Sequence, residues 1–213
     1  MSHYKRALWA LIIFSLLFGV TFLGTSAEAM TFENFAVQRA VYINHKWCKY
    51  RPELTMGDAI TEKQANTRVG AIIGWSERFN YMHPSVHYRR VAKDMLSLVE
   101  LETGFVNYNN YIDDGTSFGV FSMQWTTAEW IADVNGWEYN RNLLINDTTE
   151  QAKYAIWYYY YQLQRKGDRI SALMAYNNPS IKADEERWRR YVMEVLGRIV
   201  YNDKLIKERV TNK

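Results

Sequence analysis

The chain has 213 residues, 48% of them hydrophobic and 15% aromatic, which excludes a disordered chain and allows a full core. Its net charge of +3, without a block of one sign, is too weak to point to nucleic acid and suits a mildly anionic polymer. The single cysteine, Cys48, excludes an internal disulfide and reads as an inert, part-buried thiol.

The first element is a targeting segment. "MSHYKR" is a basic head, "ALWALIIFSLLFGVTFLG" is an unbroken apolar run, and "TSAEA" supplies an A-x-A site ending at Ala29. This is the pattern of a secretory signal peptide over residues 1–29, with an uncleaved anchor as the competing reading. Either way the remainder is expected to leave the cytoplasm, for the periplasm or cell envelope. It meets a membrane only if the segment stays attached.

Residues 30–213 read as one helical domain. Phe32, Phe35, Arg39, Ile43 and Trp47 fall at helical spacing, predicting a helix over Thr31–Trp47. A weaker helical region follows from about Asp58 to Phe79, and a third helix over Tyr88–Thr103. "NYNNYIDDGTS" is turn-rich and allows a small hairpin near Asn107–Phe118. Helix returns over Thr126–Val134. A longer one starts at Asp147 as N-cap, with Glu150 completing a capping box and Gly167 as terminator. "RISALMAY" is a short helix stopped by "NNP", and the last helix carries Trp188, Tyr191, Val192, Val195 and Ile199 on one stripe. The class is all-α, or mainly α with that hairpin.

One helix poses a chemical question. In "VAKDMLSLVELETGF" the residues Val91, Met95 and Leu98 share a stripe, and Glu102 is the next position on it. Glu100 falls on the other side, near Lys93, and is expected in solvent. A carboxylate on an apolar stripe is costly unless it is paired or keeps its proton. Glu102 is therefore a helix end, the partner of a buried arginine, or a functional acid.

Three fragments favour the acid. "LETGF" (Leu101–Phe105), "SFGVFSMQWTTA" (Ser117–Ala128) and "AYN" (Ala175–Asn177) resemble, in order and spacing, the soluble-type lytic transglycosylases, which have a lysozyme-like fold. "YVMEV" in the last helix resembles that family's Tyr-Val-x-x-Val. The likeness runs from about Val91 to Val195, within a catalytic core expected over 88–200. It implies cleavage of the β-1,4 bond between N-acetylmuramic acid and N-acetylglucosamine in peptidoglycan, without cofactor or metal. The implied catalytic residues are Glu102 and Tyr176, and the implied substrate-binding positions are Thr103, Ser117, Gly119, Ser122, Gln124 and Asn177. Thr103 stands for the family's serine, Ser122 stands where the family has glutamine, with Gln124 two residues on, and the glycine usual after Ala-Tyr-Asn is missing. The implied partners are the glycan strands of the wall. Such modules serve wall turnover, phage particles and envelope-spanning secretion or conjugation machines.

Glu102 would then give its proton to the leaving glycosidic oxygen and take one back from the sugar's 6-hydroxyl, closing a 1,6-anhydro ring. Asp113 and Asp114 are turn formers; if one reached the site, the enzyme would be a lysozyme-type hydrolase. A non-catalytic wall-binding or assembly protein is the third reading. His83 and His87 in "HPSVH" lack an evident third metal ligand. "WYYYY" (Trp157–Tyr161) points all round a helix, so at most two of its rings line a groove. Trp125 and Trp130 are better placed to stack on sugar, although core packing is the stronger expectation for each alone. "RWRR" (Arg187–Arg190) reads as a solvated face around Trp188.

Overall fold

A computed structural model describes residues 31–52, 59–108, 115–177 and 186–211. The signal segment and Asp113 and Asp114 lie outside the described residues, as do the side chains of Arg187, Trp188 and Arg189. The element order is α1 (Phe32–Tyr50), α2 (Glu62–Arg78), a single 3-10 turn (Asn80–Met82), α3 (Tyr88–Glu102), β1 (Ser117–Phe118), β2 (Met123–Gln124), α4 (Trp125–Asn135), α5 (Arg141–Asn146), α6 (Thr148–Lys166), α7 (Arg169–Asn177) and α8 (Glu186–Thr211). Among the described residues the protein is thus mainly helical, and no helix is long and apolar enough to cross a membrane.

Local chemistry sets most of the helix ends. Thr31 accepts from the Asn34 N–H to start α1, and Thr61 and Gln64 form a reciprocal capping box on α2. His87 caps α3 through its ring. Asp147 accepts from the Thr149 and Glu150 amides at the head of α6, while Glu150 pairs with Lys153 instead of closing the box. Gly136 and Gly167 end α4 and α6 in the left-handed conformation.

The strands form a two-stranded antiparallel hairpin with Ser117 opposite Gln124 and Phe118 opposite Met123. It lies later than the expected Asn107–Phe118, because the reversal is made at 119–122. Gly119 (φ +76°) and Ser122 (φ +48°) supply the positive angles there, and Phe118 and Met123 anchor the arms in the core.

Helix α3 packs against α1, α2 and α8, and α6 against α2 and α7. More than one stripe of α3 is consequently buried: Val91, Ala92 and Asp94 through Glu100. Its second face is polar, and each acid on it has a dedicated partner. Asp94 forms a two-pronged pair with Arg169 and accepts from the Tyr159 hydroxyl at 2.7 Å. The Tyr160 hydroxyl donates to the Ser76 carbonyl at 2.7 Å, joining α6 to α2.

This corrects the expectation for Glu100. It is 1% exposed, and it does not meet Lys93. Arg39 of α1 grips it with Nη2 at 2.5 Å and Nε at 3.1 Å, and Arg198 of α8 adds Nη1 at 2.8 Å. Lys93 pairs instead with Asp203, at 2.6 Å. The face of α3 that reads as solvated is covered by the first and last helices.

Candidate functional site

Glu102 is the last residue of α3, and the chain leaves it through a tight left-handed turn. The Thr103 and Gly104 amides both return to the Val99 carbonyl, and Gly104 (φ +55°) and Phe105 (φ +65°) reverse the chain. A side chain at Gly104 would begin 2.3 Å from the Trp47 indole, so glycine is required by close approach as well as by φ. The turn's carbonyls are held from the side: Asn44 Nδ2 donates to Gly104 O at 3.1 Å, and the buried Arg68 donates to Phe105 O. Burial lowers the Arg68 pKa to about 10.

The loop between the strands is fixed to this turn. Thr103 is fully buried, and its hydroxyl donates to the Val120 carbonyl at 2.6 Å. Gln151 of α6, absent from the sequence expectations, completes the fastening. Its Oε1 accepts from the Val120 N–H at 2.9 Å, and its Nε2 donates to Leu144 O at 2.7 Å and Asn107 Oδ1 at 2.9 Å. A Cβ at Gly119 would meet that same Oε1 at 2.5 Å. Thr103 and Gly119 therefore position the loop beside Glu102. Ser117 is buried in β1, whereas Gln124 is exposed and Ser122 part-buried.

From the far end of the sequence, α7 delivers Asn177, whose Nδ2 donates to Glu102 Oε1 at 3.0 Å. Tyr176 precedes it, with its ring 5.6 Å from that of Tyr158 and 6.4 Å from that of Tyr159. Its hydroxyl is buried without a hydrogen-bond partner among the described residues. Burial first, then the charge of Glu102, pushes this phenol well above the usual tyrosine value. Tyr191 of α8 joins them. Burial first, then the charge of Glu102, raises its pKa well above normal.

Glu102, Tyr176 and Asn177 thus come together, with Tyr191 as a fourth member. Tyr191 was legible as a stripe residue and as the tyrosine of the Tyr-Val-x-x-Val likeness, but nothing in one sequence says that α8 crosses the end of α3. Both phenols keep their protons at neutral pH, so they stand as neutral groups in the neighbourhood of the part-buried Glu102 carboxyl. Such a constellation can hold a proton, hand it to a nearby oxygen and recover it.

The other candidates have local roles. His83 Nδ1 faces the Ser85 hydroxyl at 2.9 Å, and His87 is a helix cap. Among the described residues no group of three or more His, Cys, Asp and Glu could hold a metal ion. Cys48 is part-buried beside Asn44. Trp125 stacks on Phe118 at 3.8 Å with the Arg141 guanidinium 4.2 Å from the Trp125 ring centre, so both its faces are occupied. Trp157 through Tyr160 are buried, and Trp130 is exposed.

No protein-family model matches this chain, and neither a curated protein nor a solved structure proved similar to it.

Proposed function

We propose that this chain is an exported peptidoglycan lytic transglycosylase, a lysozyme-like helical domain in which Glu102 is the sole acid and base. The observation that carries the reading is the bond from Asn177 Nδ2 to Glu102 Oε1, with the buried phenols of Tyr176 and Tyr191 close enough to feel the charge of that carboxyl. Glu102 and Asn177 are 75 residues apart in sequence. The motif resemblance singles out the pair, and nothing local obliges them to meet.

In the reaction, protonated Glu102 donates to the glycosidic oxygen as the bond from C1 of the muramyl ring breaks. The substrate's own N-acetyl oxygen shares the positive charge that develops at C1. The Glu102 carboxylate then takes the proton from the 6-hydroxyl as O6 bonds to C1. No water is consumed, and Glu102 ends protonated, as it began. Asn177 holds the carboxyl in one orientation through both transfers, and the two phenols supply neutral donors near the developing charge.

The test is digestion of purified sacculi by the mature protein, followed by mass analysis of the fragments. Anhydro-muropeptides are expected. Fragments one water heavier would make it a lysozyme-type hydrolase. Binding without any released fragment would make it a wall-binding protein.

A further inference from the structure

A second polar and aromatic constellation adjoins the site. Helices α4 and α6 enclose a groove of about 230 Å³. One wall is the indole of Trp130, 37% exposed. The ring is braced edge-on by Tyr161 at 5.1 Å, Trp157 at 5.9 Å and Tyr158 at 6.3 Å, so it is held rigidly although its outer face is open. Tyr161 stacks in turn on Trp157, at 5.6 Å and 9°.

Gln162 also lines the groove. It is 1% exposed, and its Oε1 has no hydrogen-bond partner among the described residues. A buried carbonyl oxygen left unbonded is a standing penalty in the free protein, and a ligand donor at this position removes it. At the rim stands Arg165, exposed and with no carboxylate paired to it among the described residues. Its charge reaches the hydroxyl of Tyr158, which lines the same groove. Tyr158 itself touches Tyr176, with ring centres 5.6 Å apart, which links the groove wall to the tyrosine beside the candidate acid.

An open, braced aromatic face fits the apolar face of a pyranose ring. A buried amide oxygen fits an acetamido N–H or a hydroxyl, and a free guanidinium fits a carboxylate. We propose that this groove is a saccharide subsite that takes an N-acetylated pyranose bearing an acidic substituent, with Trp130 as platform, Gln162 as acceptor and Arg165 as the carboxylate clamp. This rests on the lytic reading for the position of the reacting bond, but not for the binding itself.

The experiment uses the E102Q protein, which cannot transfer the proton, so that ligands survive. It is titrated calorimetrically with tetra-N-acetylchitotetraose, which is uncharged, and with a peptide-free tetrasaccharide of alternating N-acetylglucosamine and N-acetylmuramic acid. Adding W130A is expected to weaken both by about tenfold, equivalent to about 1.4 kcal/mol. W130F, which restores a flat ring, recovers most of the loss. Adding R165Q is expected to weaken only the carboxylate-bearing sugar, again by about tenfold. Melting curves of each variant guard against misfolding. Equal affinity of W130A and E102Q for both sugars, or no binding of either sugar by E102Q, overturns the subsite. Sacculus digestion by the unmodified protein is read separately. Fragment release with Trp130-independent binding keeps the lytic reading and discards the subsite. Binding that depends on Trp130 and Arg165 without fragment release does the reverse.

Discussion

Glu100 and Glu102 stand two residues apart on one helix, yet their surroundings differ in kind. Glu100 is sealed between α1 and α8 and receives two guanidinium groups and the Asn202 amide. Glu102 sits at the helix end, part-buried, where an asparagine amide and a tyrosine hydroxyl meet it. Two guanidinium groups occupy the Glu100 oxygens as fixed cationic donors. The Glu102 carboxyl has an amide and phenols for neighbours, the setting that proton transfer to a substrate requires. Burial alone therefore does not mark the functional acid; the charge of the partners does.

The sharpest way to break this contrast is to neutralise each acid in turn. E102Q keeps size and shape but has no proton to transfer. Fragment release from a wall suspension is expected to fall by roughly 100- to 10,000-fold, while the melting temperature holds or rises. Full activity in E102Q would remove Glu102 from the chemistry altogether.

E100Q should do the opposite. It strands Arg39 and Arg198 without their counter-charge, at a cost of about 3 kcal/mol, the low end for a broken buried pair. The low end applies because the Arg198 side chain is 34% exposed and can rehydrate. Urea unfolding reads that loss, and activity per folded molecule is expected to persist well below the new midpoint. A stable but inactive E100Q would mean that the hub belongs to the site.

Between the two acids lies the loop fastening. G119A forces a Cβ onto the Gln151 amide and an L-residue into φ +76°. A loss of about 2 kcal/mol is expected, together with reduced activity, because the loop that Thr103 holds beside Glu102 shifts. Unchanged stability would mean that Gln151 moves aside freely.

The tyrosines near the Glu102 end give a pH signature that the arginine hub lacks. Burial pushes the phenols of Tyr159, Tyr176 and Tyr191 well above the usual value. Their contribution is fully present below the unfolded tyrosine pKa of about 10 and is lost as pH rises from there towards the folded values, because the unfolded chain releases its protons first. Each buried phenol steepens the fall by about 1.4 kcal/mol per pH unit. Unfolding free energies at pH 9 and pH 11 should show it, and Y176F should flatten it. An identical slope in Y176F would place that hydroxyl in water.

The smallest effect belongs to Lys93. Its partner is Asp203, and both side chains are partly exposed, 33% and 40%. K93A is expected to cost less than about 1 kcal/mol. A larger loss would mean that Lys93 still supports Glu100.

Much of this was readable from one sequence because it is local. The predicted helix over Tyr88–Thr103 is observed as Tyr88–Glu102, and Asp147 and Gly167 bound α6 as expected, since a cap needs only its own neighbours. The short α5 was not foreseen; six residues carry too little periodicity. Of the candidate site, Glu102, Tyr176 and Asn177 were legible as motif residues, and the structure brings them together. Gln151 was not legible, and Tyr191 was legible in the last-helix motif but not as a neighbour of Glu102, because each acts on a residue far away in sequence, and no periodicity records which polar side chain of a buried face will find a distant partner.

By itself, then, the sequence determined where the helices begin and end, and that the stripe of Val91, Met95 and Leu98 faces inward, because capping and amphipathic spacing are properties of neighbouring residues. Only the tertiary structure decided which glutamate is locked and which is available. Helix phase says that Glu100 and Glu102 point in different directions. It does not say that α1 and α8 bring Arg39 and Arg198 to the first, or that α7 brings Asn177 to the second. A carboxyl's charge state follows from the charges and solvent around it, and those come from chain segments about 60 to 100 residues away.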